Sequence, residues 1–208
     1  MLEVLVSRAP DPGTAVRGSE LEPVAEGRER WQLVDAPAGF EVRTEAAGDG
    51  IIRTDPRGTR ALRAGADGSV SLVSQHDAAD DSMTIFEPPL VLAPASLRTG
   101  EEPAADARVT TDRSGTRKDD AGSATRTVRV AAIERIRTPL GEFDAVRVDA
   151  VFSMKVPFAS MRRETSTWVR PGDGPVAVRS DERILVMGIV PRNTAETRVR
   201  LPGGGGAP

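Results

Sequence analysis

The sequence predicts an all-β, mostly antiparallel domain whose single long sheet must curl, and three observations carry that prediction. Two alternating segments, Thr125–Ile136 and Phe143–Met154, flank Pro139-Leu140-Gly141. Two more, Glu164–Arg170 and Val176–Ser180, flank Pro171-Gly172-Asp173-Gly174. Apolar residues at every second position mark half-buried strands, and Pro/Gly clusters between them mark hairpin turns. Finally, no capping box precedes a 3.6-period run, so helix signals are few.

In chain order, residues 8–29 are rich in Pro, Gly and Glu and lack periodicity. Residues 1–29 therefore read as an edge strand followed by a linker or surface wrap. Residues 30–201 read as one antiparallel β domain. Its first runs are Trp31–Asp35, Phe40–Thr44, Ile51–Thr54, Thr59–Arg63 and Val70–Ser74. They are separated by Pro37-Ala38-Gly39, Gly48-Asp49-Gly50, Asp55-Pro56-Arg57-Gly58 and Asp67-Gly68, where Gly supplies positive φ and Asp bonds its own backbone. Met83–Phe86 begins a strand that Pro88-Pro89 is expected to stop, and Leu90–Leu97 reads as a short helix or an extended crossing. Arg108–Thr111 precedes the long hairpins. In Phe143–Met154, Val146, Val148, Ala150, Phe152 and Met154 share one face, and Arg147 and Asp149 the other. Ile184–Val190 is apolar in both phases, as expected of a strand covered on both sides. Thr194–Leu201 alternates again, and residues 202–208 read as a flexible Gly/Pro tail.

Composition bounds the function classes. The chain has 208 residues, 38% of them hydrophobic, with 20 glycines, enough for a real core. Residues 1–125 carry 14 basic and 22 acidic groups, and residues 126–208 carry 14 and 9. Arg129, Arg135, Arg147, Arg163 and Arg179 are spread over successive strands without interleaved aromatics, so they read as an outward, solvated face and not a nucleic-acid surface. Cysteine is absent, which leaves no disulfide, thiolate metal site or thiol nucleophile. No stretch reaches the ~20 apolar residues of a transmembrane helix. The N-terminal MLEVLVSRAPDPG lacks a basic n-region and an h-region, so no signal peptide is read and the cytoplasm stays open.

Chemistry-bearing candidates are sparse. The single histidine, His76, stands beside Asp77, with Asp80 and Asp81 close behind. One histidine without further nitrogen or sulfur ligands makes a poor transition-metal site, and a polar loop is the simpler reading. Glu101-Glu102 and Asp119-Asp120 are adjacent carboxylates, whereas acid–base pairs need separated environments. Asp49 and Asp173 lie in turns without EF-hand spacing. No nucleophile elbow or phosphate loop occurs, so no cofactor, metal or catalytic residue is assigned. Glu164, Ser166 and Trp168 share one strand face, where the indole either rims a pocket or plugs the sheet.

The segment Thr138–Val148, the segment Glu164–Val176 and the Pro-rich piece Phe86–Gly100 together resemble an uncharacterised bacterial domain-of-unknown-function family, itself similar to the LolA/LolB lipoprotein carriers. The resemblance covers roughly residues 84–180. It implies a half-barrel wrapped part-way round a helix or loop plug, and a place in the cell envelope, periplasmic or outward-facing. It departs from the family's pattern at Glu101-Glu102 and at Val169, where aromatics are common. It carries over no catalytic residue.

Three functions follow as expectations. The first is a non-enzymatic module whose concave apolar face accepts an acyl chain, another lipid moiety or an envelope protein. Its lining would be Val146, Val148, Phe152, Met154, Trp168, Val176 and Val178, and burial at ~25 cal/mol per Å² would suffice to hold an acyl chain. The second is a structural or interaction domain with a filled interior and a surface contact at Val151, Phe158 and Met161. The third is an enzyme, which would require His76 beside Asp77 and a buried serine.

Overall fold

The computed structural model describes residues 1–36, 38–113, 116–186 and 190–202; residues 113, 116–120 and 190 are described by their backbone alone. Most of the expected C-terminal tail, and the middle of Ile184–Val190, lie outside the described residues, as do the side chains of Asp119 and Asp120.

Among the described residues the chain forms fifteen strands and one short helix. They are β1 (Glu3–Arg8), β2 (Ala15–Arg17), α1 (Gly18–Leu21), β3 (Gly27–Leu33), β4 (Gly39–Ala47), β5 (Gly50–Asp55), β6 (Gly58–Ala64), β7 (Val70–Asp77) and β8 (Ser82–Ala93). There follow β9 (Ser96–Arg98), β10 (Ala104–Arg113), β11 (Thr116–Thr138), β12 (Gly141–Val156), β13 (Ala159–Arg170), β14 (Gly174–Val186) and β15 (Val190–Arg200). The predicted turns at Gly48, Gly58, Gly68, Gly141, Gly172 and Gly174 all place glycine at positive φ, as their hairpin positions require.

Each strand from β3 to β15, β9 apart, pairs antiparallel with its neighbour in sequence, and β15 returns to β3. The result is an up-and-down ring of twelve strands, which corrects the half-barrel expectation. Closure rests on a short ladder, Arg198↔Leu33 to Arg200↔Trp31. It satisfies the backbone groups that an open sheet of this length would leave at two edges. β1 belongs to the same sheet but stands outside the ring, and β2 and β9 pair with each other apart from it. β1 pairs with β11 over Ile133–Arg137, beyond Thr127, where the β10 ladder ends.

The proline pair does not stop the eighth strand. β8 runs through Pro88-Pro89 to Ala93, and its ladder with β7 breaks between Leu72 and Ser74 and resumes at Leu72↔Leu90. The irregular register absorbs two residues that lack ladder donors. Leu90–Ala93 is thus extended, not helical, with Leu90, Leu92 and Ala93 buried and Val91 exposed.

Alternation assigns the faces. Val146, Val148 and Ala150 of β12 join Leu62, Leu72, Phe86, Leu90, Val109 and Val128 in the main core, inside the ring. A second cluster, Ile136, Ala145, Trp168, Val176, Ala177 and Val199, lies on the opposite face, with Leu2 and Val34 packed against it. On the outer face of β4, Glu41, Arg43 and Glu45 alternate with buried Val42 and Thr44. A lipid-facing barrel band does not carry such mid-strand charges. Among the described residues no helix is long and apolar enough to cross a membrane.

The segment before β3 enters the barrel as a plug. β2 pairs with β9, and Val16, Leu21 and Leu97 are buried in the main core. Gly18 makes this entry sterically feasible: a Cβ there would lie 2.5 Å from the carbonyl oxygens of both Gly68 and Pro94. Glu20 then ties the plug to the β13–β14 turn, accepting from the backbone N–H of Gly172 at 3.1 Å and from Arg17 Nη2 at 2.8 Å.

Candidate ligand site in the barrel interior

Behind the plug lies an interior cavity of about 130 Å³ lined by residues from almost every strand of the ring. Its lining is not the apolar surface the sequence suggests. Arg53, Arg60, Arg126, Arg163 and Arg198 all face it, together with Glu22 and Asp55. Trp31, Leu72, Phe152 and Val178 complete the apolar part. Arg163 is therefore an interior residue, contrary to its expected outward placement. Its ladder partners, Phe152 and Glu182, fix that direction.

Ion pairs distribute unevenly over these cations. Arg163 donates to Glu182 from Nε at 2.7 Å. Arg198 reaches Asp55 at 3.4 Å, and Arg57 pairs with Glu196. By contrast, Glu22 alone serves Arg53 at 3.6 Å and Arg60 at 4.0 Å. Glu29 lies 3.4 Å from Arg53, but it also accepts from Trp31 Nε1 and pairs with Arg200. Arg126 donates to the Leu92 carbonyl at 3.0 Å and, among the described residues, has no carboxylate within ion-pair distance.

The electrostatics follow from this crowding. Burial opposes the charge of Glu22, yet Arg60, Arg53 and Arg126 outweigh it and hold the carboxyl below the usual range. Burial, then the neighbouring Arg60, lowers the Arg53 guanidinium from its ordinary value. Burial likewise lowers Arg126. Three groups on the cavity wall stay without a hydrogen-bond partner among the described residues: the Ser180 hydroxyl, in a residue 5% exposed, Arg53 Nε, in a residue 8% exposed, and Arg198 Nε. A buried polar atom without a partner costs about 1–3 kcal/mol, so such atoms mark a place where something polar fits.

Two further spaces adjoin the interior. A cleft of about 380 Å³ at the β5–β6 and β7–β8 turns shares Arg57, Arg60, Gln75, Arg163 and Arg198 with the cavity. A second space of about 140 Å³ has an apolar wall of Phe86, Phe152, Met154, Val156, Phe158 and Ile184, and Gln75, Arg163, Asp77, Asp80 and Glu182 border it too.

The structure divides the seven residues singled out in the sequence. Phe152 and Val178 line the interior cavity, and Met154 the apolar space. Val146 and Val148 are packed in the main core. Trp168 and Val176 belong to the cluster on the opposite face. There Trp168 Nε1 donates to Glu134 at 2.6 Å, and Arg147 Nη1 donates to the same carboxylate at 2.6 Å. Phe158 packs against the main core, and Met161 borders the apolar space, so neither shares an outer face with Val151. His76 stands at the cleft with Nε2 2.8 Å from Asp81 Oδ1. Among the described residues no cluster of three or more His, Cys, Asp or Glu has metal-site geometry. The interior arginines went unread because an arginine alternating with apolar residues has the pattern of a solvated strand face.

Fold and site together define a closed, up-and-down antiparallel barrel with an internal arginine-lined cavity and a plug. No family model matches the chain, and no curated protein matches it. Among solved structures it is similar to a protein with a YmcC-like fold from Bacteroides fragilis, at 14% identity and a TM-score of 0.43, covering 86% of this chain and 95% of that one.

Proposed function

We propose that the protein is a non-catalytic binding module that takes an elongated, partly apolar ligand, such as an acyl chain or another lipid moiety, into the barrel through the cleft beside His76. One observation carries the reading: cleft, interior cavity and apolar space adjoin one another, with Gln75 and Arg163 bordering all three. The interior cavity alone is smaller than the ~300–1,000 Å³ typical of ligand pockets. A ligand of ordinary size therefore needs the Gln75 and Arg163 side chains to give way, so that it reaches the adjoining spaces. His76 pairs with Asp81, and the nearby Ser82 Oγ donates to Asp80 at 2.6 Å instead of to the imidazole.

Native mass spectrometry of the purified chain, with lipid extraction and fluorescent fatty-acid titration, tests the proposal. The expected result is uptake of the probe, reduced in Ala159→Trp, because the indole fills the apolar space that Ala159 borders. A ligand-free protein that ignores the probe overturns the reading and leaves a structural barrel with a filled interior.

A further inference from the structure

We infer that the ligand carries an oxyanion, a carboxylate or a phosphate, that seats among Arg53, Arg60 and Arg126 beside the Ser180 hydroxyl. This inference rests on the interior being the binding site, and it names what that site recognises. Arg53 and Arg60 share the carboxylate of Glu22, Arg53 with Glu29 also at 3.4 Å, and Arg126 lines the same cavity. Arg126, within hydrogen-bond reach of a backbone carbonyl only, brings a charge that no described residue neutralises at contact distance.

The same wall offers donors that the protein itself leaves unused, Ser180 Oγ and Arg53 Nε, both on residues more than nine-tenths buried. An oxyanion accepts several hydrogen bonds at once and prefers the planar fork of arginine. Charge, donor count and direction therefore all select an anion over a neutral polar group. The room is that of a head group, about 130 Å³, and the apolar space beyond Phe152 suits what trails it.

Glu22 is the internal competitor. It sits next to α1 on the plug, where it occupies the arginine cluster in the unliganded barrel. An entering oxyanion shares or displaces it, which couples occupancy to the seating of the plug.

Isothermal titration of the full chain with dodecanoate, dodecanol and inorganic phosphate tests this. Dodecanoate is expected to bind about tenfold or more tightly than dodecanol, as hydrogen bonds to a charged group imply. Arg126→Met removes that preference, and Glu22→Gln, which deletes the competitor, tightens dodecanoate. Phosphate binding without dodecanoate binding upholds the oxyanion seat and overturns the apolar-ligand reading above. Equal affinity for acid and alcohol in the wild-type chain overturns the oxyanion seat while the binding reading stands, and needs no variant to fold. Silence of all three probes overturns both.

Discussion

Replacing Arg147 with methionine removes one of three donors that hold the carboxylate of Glu134 on the outer face of the barrel. Glu134 is 2% exposed and accepts from Arg147 Nη1 at 2.6 Å, Trp168 Nε1 at 2.6 Å and Ser7 Oγ at 2.9 Å. Breaking a buried pair from one side typically costs ~3–5 kcal/mol, because the charge left behind has lost its compensation. Arg147 is half-buried and two donors survive, which argues for the lower end, about 3 kcal/mol. For a chain of this size each kcal/mol moves the midpoint by ~2–4 °C, so the expected fall is about 6–12 °C. Urea and thermal unfolding followed by circular dichroism read both numbers. Adding Glu134→Leu to Arg147→Met removes the stranded charge and recovers at least about 1 kcal/mol, although Trp168 Nε1 then lacks its acceptor. An Arg147→Met protein within about 0.5 kcal/mol of wild type, or a double variant less stable than the single one, refutes the reasoning.

The plug supplies the remaining predictions. The Arg17 side chain, reinforced by the backbone N–H groups of Arg17 and Gly172, pulls Glu20 from 4.5 down to about 2. A carboxyl depressed in the folded state stabilises it above the unfolded value and loses that contribution as pH falls through the folded one. Chemical denaturation should therefore show wild type more stable than Glu20→Gln at neutral pH, with the gap closing between about 4.5 and 2; a gap independent of pH rules out the assignment. Gly18→Ala forces a Cβ against two backbone carbonyls, and overpacking of this kind costs ~1–3 kcal/mol. Hydrogen exchange should accelerate selectively across Ala15–Glu22 and its partner Ser96–Arg98. Uniform exchange with unchanged stability shows that the plug is not seated through Gly18.

The hairpins were legible because turn chemistry is local: Asp55-Pro56-Arg57-Gly58 and Pro139-Leu140-Gly141 each declare a reversal within four residues. Closure was not, because it depends on Arg198–Arg200 meeting Trp31–Leu33 across most of the chain, a pairing without a local signature. β1 shows the same limit. Its short β-branched-rich run Val4-Leu5-Val6 suits a strand, but nothing in Glu3–Arg8 points to Ile133–Arg137 of β11. Trp168 was read on the correct strand and in phase with Ser166. Its partner Glu134 was invisible, since the ladder offset between β11 and β13 depends on the bulge between Val130 and Ala132.

The interior arginines are the least legible feature and the one that most constrains function. Stability does not explain them: a buried ion network is often no more stable than apolar residues of equal volume, and each cation carries a desolvation penalty. A barrel whose only task was to hold its shape would fill this space with the Val, Leu and Ile that pack the rest of the core. Arg53 and Arg60 instead share Glu22, and among the described residues Arg126 has no carboxylate at ion-pair distance and the Ser180 hydroxyl no partner. Such a network is under-compensated in the direction that an entering anion corrects. On the proposed reading an entering oxyanion relieves the cost of that imbalance, and Glu22, which shares the same arginines, sets its size.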